Sequence, residues 1–414
     1  MARIVSMIAP DRLGSDYRQM LASSWVTNLS DGVALAAGPL LVASQTRNPT
    51  LIAASAAMAW LPNLLVGLYA GVLADRLDRK RLIATANLAR ALVLGVLSVF
   101  IVTSTESVWV VLIALFLLGA AESFVDTSAS SLLPMLVESD DIGVANARLM
   151  FGHITINRLI GPPLGAVLFT LGMVVPFVAQ IVAVLAGAAL VLTIAAPTIA
   201  SPTVMSDGEG AGSSVRTEIV EGVRWLWRHP PIRTLTLTII TFNVTFGAAW
   251  SILVLYALER LGLGEIGFGL LTTVGAVGGL LGTTIYPRLE RHLSLGNIMR
   301  IGLLIETFTH FGLAMTTSPW VALPIFFVFG AHEAVWGTVA TTVRQRAVPP
   351  AFQGRVTSVY LTGVYSGLVI GAVVGGLIAG RWGVTGPFWF AFAGSVAILT
   401  TIWRQLDLIA HAGS

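Results

Sequence analysis

Long apolar blocks alternate along this chain with short breaks rich in Arg, Asp, Gly and Pro. The blocks run to about 20 residues, the length a helix needs to cross ~30 Å of hydrocarbon. Lipid offers backbone groups no water to bond, so the blocks must be helices. The pattern predicts spans near 17–44, 50–74, 82–103, 108–133, 142–171, 175–196, 232–258, 265–287, 297–317, 320–343, 354–380 and 385–405, with ends good to about 2–4 residues. The first block is too long for a signal peptide and lacks a small-residue cleavage site, so it is expected to be retained. Twelve spans put both termini on one side. Arg and Lys resist translocation; eighteen of them fall in the loops of one side, against three (Arg47, Arg260 and Arg381) on the other. Both termini are therefore expected in the cytoplasm, and the membrane is expected to be a bacterial inner membrane.

Composition agrees with the pattern. Of 414 residues, 55% are hydrophobic and 11% charged, and the mean hydropathy is +0.84; soluble domains carry roughly 25% charge. A net charge of +3 and a pI near 9.6 do not make a nucleic-acid binder, because the basic residues sit at helix ends and form no basic face with interleaved aromatics. Lys80 is the single lysine. A G-x-x-x-x-G-K-[ST] phosphate loop cannot be built from the rest of the chain, so ATP is not its own fuel. The absence of cysteine excludes disulfides, thiolate metal sites and thiol nucleophiles.

The longest hydrophilic stretch, 197–214, is rich in Pro, Ser, Gly and Asp and reads as a flexible linker. It divides the chain into an expected N-terminal six-helix bundle, 1–196, a linker with an interfacial helix, 197–231, and a C-terminal six-helix bundle, 232–414. Within the middle segment Ile219, Val220, Val223, Leu226 and Trp227 share one helical face, while Glu218, Glu221, Arg224 and Arg228 share the other; such a helix lies on the inner leaflet. The halves resemble each other: Leu133-Pro134 closes span four and Val348-Pro349 closes span ten, each followed by a polar loop and a glycine-rich span. Repeated halves build a midplane site between bundles in many transporters. Gly363, Gly367, Gly371 and Gly375 recur every four residues, as do Gly67 with Gly71 and Gly161 with Gly165; stripes of this kind let helices approach closely.

After span two the chain reads Gly71-Val-Leu-Ala-Asp75-Arg76-Leu-Asp78-Arg79-Lys80-Arg81. This resembles the G-x-x-x-D-R-x-G-R-R/K loop of the major facilitator superfamily, with Asp78 in place of the second glycine. The resemblance implies a conformational latch of Gly71, Asp75, Arg76 and Arg79, in which Asp75 caps the positive N-terminal end of span eleven, where Arg355 stands. Span five carries Gly161-Pro162-Pro163-Leu-Gly165, similar to the G-P-x-x-G element of exporter branches, and its prolines should bend the helix. Glu122-Ser-Phe-Val-Asp126, Ala145-Asn-Ala-Arg148, and Arg344-Gln-Arg346 through Gly354-Arg355 resemble the macrolide-efflux and enterobactin-exporter-like group. What this implies is an all-α membrane protein with twelve transmembrane helices in two pseudo-symmetric bundles. It implies a proton antiporter exporting lipophilic or amphiphilic small molecules by alternating access, with no cofactor beyond the proton gradient, working as a monomer.

Ionisable groups at bilayer depth cost at least ~2.5–3.5 kcal/mol, so each demands a reason. Asp31, Glu122, Asp126 and Arg158 all fall near mid-depth in the first half, and Glu122 and Asp126 share a helix face. The expectation is a buried network for proton coupling, in which Arg158 holds one carboxylate ionised while a second exchanges a proton. Arg90 is expected to snorkel to the cytoplasm. In the second half Glu306 and His310 share a face of span nine, and His332 and Glu333 sit centrally in span ten; histidine suits proton transfer near neutral pH. The latter pair is favoured, because span nine is peripheral in the fold implied. His332-Glu333-Ala-Val-Trp336 starts like H-E-x-x-H but ends in Trp, so no zinc site follows. Gly262-Leu-Gly264-Glu-Ile-Gly267 joins two membrane helices and follows no strand, so it is no dinucleotide site.

In the superfamily arrangement spans one, four, seven and ten line the cavity. That picks out Trp25, Phe242, Asn243, Phe246, Trp250 and Trp336 beside the acids, a lining suited to flat, apolar or cationic ligands. No nucleophile, base and orienting acid converge in any motif, so enzymatic function is not expected. A lipid flippase or uptake symporter of the same fold is the rival within transport. A non-transporting sensor or scaffold is the rival outside it.

Overall fold

The structure, a computed structural model, describes residues 11–105, 107–195, 215–349 and 352–406; the linker expected at 197–214 lies outside the described residues. All regular structure among these residues is helical. In chain order the elements are α1 (Gly14–Gln45), α2 (Pro49–Arg76), α3 (Arg79–Val102) and α4 (Val108–Leu132). Next, α5 is a continuous rod made of Ile142–Gly152, a π-helical stretch His153–Ile160, and Gly161–Leu171. Then come α6 (Val175–Leu192), α7 (Val215–Arg228), α8 (Pro230–Trp250), α9 (Glu265–His292), α10 (Leu295–Met315), α11 (Pro319–Ala347), α12 (Gln353–Trp382) and α13 (Gly386–Ile402). Among the described residues eleven helices are long and apolar enough to cross a membrane, and α13 is an apolar helix of 17 residues. The twelve expected spans are all present, and the chain is a multi-pass membrane protein.

The chain forms two compact units. The first comprises Met1–Thr46, Met58–Met205 and Gly264–Thr273; the second comprises Arg47–Ala57, Ser206–Leu263 and Val274–Ser414.

In the first unit α1 is the central element, and glycine lets it meet α5 backbone to backbone. A Cβ at Gly32 would strike the Asn157 carbonyl oxygen, one at Gly161 would strike the Gly32 backbone, and one at Gly165 would stand 2.5 Å from the Val33 carbonyl oxygen. Pro162 and Pro163 lack the N–H groups that would bond one turn back, and the stretch immediately before them is wound as π-helix. The prolines thus rewind the helix instead of breaking it. At one end of the unit Tyr17, Met20, Ile83, Val125 and Leu132 form an apolar cluster, into which Tyr17 Oη donates to the Ala145 carbonyl at 2.9 Å. Asp78 has a local purpose: its carboxylate accepts from the backbone N–H groups of Lys80 and Arg81 and caps α3. The lone lysine, Lys80, donates from Nζ to the Ile194 carbonyl at 2.9 Å, just beyond α6, where the helix dipole favours a cation.

The second unit repeats the device. Gly367, Gly371 and Gly375 bring α12 against the backbone of α8; a Cβ at Gly367 would stand 2.7 Å from the Ile240 carbonyl oxygen. Trp225, Ile232, Leu235, Met299 and Val339 belong to its apolar core. The amphipathic helix α7 does not divide as its sequence suggests. Trp225 and Leu226 are buried, while Val220, Val223 and Trp227 are exposed, and the side chain of Ile219 lies outside those described. The reason is Gly222, which presses α7 onto the Arg355 backbone, while Trp225 stacks between His229 at 3.8 Å and Phe352 at 6.1 Å. The apolar residues of α7 therefore face two ways, one set inward and one set outward.

Candidate functional site

The first unit places a charged cluster at the middle of its helices. Arg90 of α3 is 3% exposed and donates from Nη2 to the Asp31 carboxylate of α1 and from Nη1 to Asn87 Oδ1 at 3.4 Å. Its charge also acts on Glu122 and Asp126 of α4. Glu122 is half-buried and Asp126 exposed. Asp31 alone bonds the guanidinium, and Glu122 and Asp126 lie within its electrostatic reach, so three carboxylates stand around one buried cation and a proton on any one of them relieves the excess negative charge. His153, in the π-helical stretch, bonds through Nδ1 to Asn28 Oδ1 at 3.0 Å and lies within electrostatic reach of Asp31.

Two expectations are corrected here. Arg158 does not hold the carboxylates: it is exposed. Its neighbour Asn157 is buried at 6% against α1, and one residue on a helix turns the side chain by about 100°. Arg90 does not snorkel; it is the buried cation of the cluster. Its signal was present in the sequence, as an Arg one turn from Asn87 and opposite an acid at similar depth.

The second unit holds a different cluster. Glu306 of α10 is 4% exposed, and its two oxygens take separate imidazoles: Oε1 lies 3.0 Å from His310 Nε2 and Oε2 lies 3.1 Å from His332 Nε2 of α11. His310 and His332 are 0% and 8% exposed. Of His332 and Glu333, both favoured for proton coupling over Glu306 and His310, only His332 joins this cluster. Glu333 is exposed, since the adjacent residue points to another face of α11, and Glu306 takes its place.

The expected aromatics of this unit do gather. Phe246 stacks on Trp250 at 4.5 Å, Trp250 packs on Phe329 at 4.5 Å and on Phe326 at 5.8 Å, and Phe242 lies 6.3 Å from Trp336. Phe242, Phe246, Trp250 and Trp336 are each only half-buried, so one face of the layer stays open. Asn243 spends its amide on the Ile239 carbonyl at 2.8 Å. In the first unit Trp25 packs near Phe151 at 6.3 Å, and its indole N–H is enclosed without a partner.

Of the expected latch, the side chains at Gly71, Asp75 and Arg76 lie outside those described. Arg79 approaches Met135 Sδ at 3.4 Å. Arg355 pairs with Glu221 of α7 at 2.9 Å, a partially exposed bridge.

Among its described residues the chain sets ionisable clusters at the middle of apolar helices long enough to cross a membrane. Its fold is that of the major facilitator superfamily: the nucleoside transporter NupG overlays with a TM-score of 0.73 at 13% identity, covering 95% of this chain and 99% of that one. A bacterial homologue of the iron transporter ferroportin in an inward-facing state overlays with a TM-score of 0.73 at 16% identity, covering 95% and 98%. Within that superfamily, residues 5–408 match the transmembrane secretion effector family, and the chain belongs to it. It is 27% identical to the multidrug efflux pump Tap of Mycolicibacterium fortuitum, over 94% of this chain and 96% of the pump. It is 24% identical to macrolide efflux protein A of Streptococcus pyogenes, over 88% and 90%.

Proposed function

We propose that this protein is a proton-driven exporter of lipophilic or amphiphilic small molecules, working by alternating access in a bacterial inner membrane as a monomer, with both termini in the cytoplasm. The bundles that rock would be 1–196 and 232–414, joined by 197–231, and the proton gradient alone supplies the energy. The observation that carries this reading is the cluster in which Asp31, Glu122 and Asp126 stand around the single guanidinium of Arg90 at mid-helix. Arg90 is permanently charged and holds Asp31. Glu122 and Asp126 have no guanidinium of their own, so they take up and release the coupling proton. Protons arriving from outside neutralise one of them, weaken the hold on a cationic or polarised substrate and let the transporter return. The relatives named for multidrug and macrolide efflux support the export direction and the breadth of cargo, and the half-open aromatics Phe246, Trp250 and Trp336 supply stacking surface for flat ligands.

The test is direction of flux. In proteoliposomes carrying ethidium, an imposed gradient, acid on the side that corresponds to outside, should drive ethidium toward the acid side, and an uncoupler should abolish the movement. Ethidium movement in the opposite sense identifies an uptake symporter. Movement of fluorescent phospholipid between leaflets with no response to the gradient identifies a flippase.

A further inference from the structure

The acid of the second unit is arranged unlike any of the first. Glu306 sits at the middle of α10 with one imidazole on each oxygen. An ionised carboxylate only accepts hydrogen bonds, so both Nε2 atoms donate to it. With both rings neutral the cluster carries one negative charge; with one ring protonated it carries none. No other charge is placed to take that role. Glu306 feels His310 and His332, α13 has no ionisable residue, and Arg300 on α10, Arg344 on α11 and Arg233 on α8 stand toward the ends of their helices. Glu333, beside His332, is exposed and turned to another face.

The two rings are not equivalent. Nδ1 of His310 is buried with no partner, so a second proton on that ring would be an unsatisfied donor. His332 is the less enclosed of the two at 8%, and Gly302 makes room for it, since a Cβ there would stand 2.9 Å from the His332 ring and 3.0 Å from Trp336. His332 is thus the less enclosed ring, and the one with room beside it. The cluster is also joined to the aromatic layer. Trp250 meets His310 edge to face at 5.9 Å, and His332 lies 6.0 Å from Phe329 and 6.1 Å from Trp336.

We propose that Glu306, His310 and His332 form a protonation site of the second unit whose charge sets the affinity of the adjoining aromatic layer, Phe246, Trp250 and Trp336, for a lipophilic organic cation. Without the extra proton the buried negative charge stands behind the aromatic wall and favours a cation on its open face. With the proton on His332 that attraction is cancelled. This rests on the reading of the chain as an exporter of lipophilic ligands, and it adds a site independent of the carboxylates of the first unit.

The probe is tritiated tetraphenylphosphonium, binding to the full chain in detergent by scintillation proximity, at about pH 5.5 and about pH 8.5, on either side of the ordinary histidine range. Affinity in the wild type should be about tenfold tighter at the higher pH, the effect of one pK unit of coupling. In a background of Glu122→Gln combined with Asp126→Asn, which removes the first-unit acids, a pH dependence should remain; adding His332→Gln should abolish it, adding His310→Gln should reduce it, and Glu306→Gln should bind weakly at both pH values. Should Glu306→Gln not fold, His332→Gln and His310→Gln decide alone. The proposal is overturned by wild-type binding that ignores pH, by absence of saturable binding, by a dependence that survives His332→Gln in the background lacking the first-unit acids, or by one that disappears in the first-unit double variant itself. Failure here with gradient-driven ethidium flux intact would leave the exporter reading standing; loss of flux with this dependence intact would do the reverse.

Discussion

The two units solve the same mechanical problem alike and the same electrostatic problem differently. Each brings two helices together along glycine, at Gly32, Gly161 and Gly165 in one and at Gly367, Gly371 and Gly375 in the other. Each also lodges an acid at mid-helix, but Asp31 is held by Arg90 and Glu306 by two histidines. An arginine cannot give up its proton, so Arg90 sets a fixed positive charge beside Asp31. In the second unit the partners are two imidazoles, a side chain that can be neutral or charged. The lesson is that a buried acid becomes a switch or an anchor according to its partner.

Removing the anchor should do the most damage. Arg90→Ala leaves Asp31 enclosed with no cation, and breaking a buried pair in this way costs about 3–5 kcal/mol; thermal unfolding in detergent should show a much lowered midpoint. The second unit should be more forgiving of the corresponding change, because Glu306→Gln keeps shape and, once one histidine switches tautomer so that its Nε2 accepts from the amide, keeps both contacts and removes mainly the charge-assisted part, about 1.5–3 kcal/mol. Equal losses in the two variants would erase the distinction between anchor and switch. The shared glycine seam offers a third, smaller test. Gly161→Ala should cost about 1–3 kcal/mol by forcing α1 and α5 apart, whereas Gly95→Ala in α3, where a Cβ meets nothing within 4 Å, should be neutral or stabilising by about 0.5–1 kcal/mol. Smallest of all is Arg158→Gln, whose exposed side chain should change stability by no more than about 0.5 kcal/mol; a loss as large as that of Arg90→Ala would restore Arg158 to the centre of the cluster.

The span pattern was legible to within about five residues at most ends, because helix length against bilayer thickness leaves little choice; span seven, expected to reach 258, is the exception, since α8 ends at Trp250. Which acids lie at mid-depth was legible in part: Asp31 and Glu122 sit in the middle of apolar blocks and are enclosed or half-buried, but Asp126 is exposed and Glu306, ranked below Glu333, is the buried one. The partners were not. Depth along a helix can be read from sequence, but the face depends on which helices pack together, and that decided Arg90 over Arg158 and Glu306 over Glu333. In both cases the rejected residue is an immediate neighbour of a buried one, Asn157 or His332, and so looks to a different side. Helix α7 failed for a related reason: its apolar stripe was visible, but Gly222, which turns Trp225 inward and Trp227 outward, acts through a contact more than a hundred positions away at Arg355. Asp78, out of place in the loop motif, became intelligible once it was seen to cap α3.

The claim on which most depends is that acids beside a fixed Asp31–Arg90 pair carry the proton. It is tested most directly by recording lumenal pH and ethidium efflux together in proteoliposomes of the wild type, of Arg158→Gln, and of Glu122→Gln combined with Asp126→Asn. Proton movement locked to ethidium movement in the first two, and lost in the third while ethidium still equilibrates downhill, is the predicted result. Undiminished proton coupling in the double variant would contradict it.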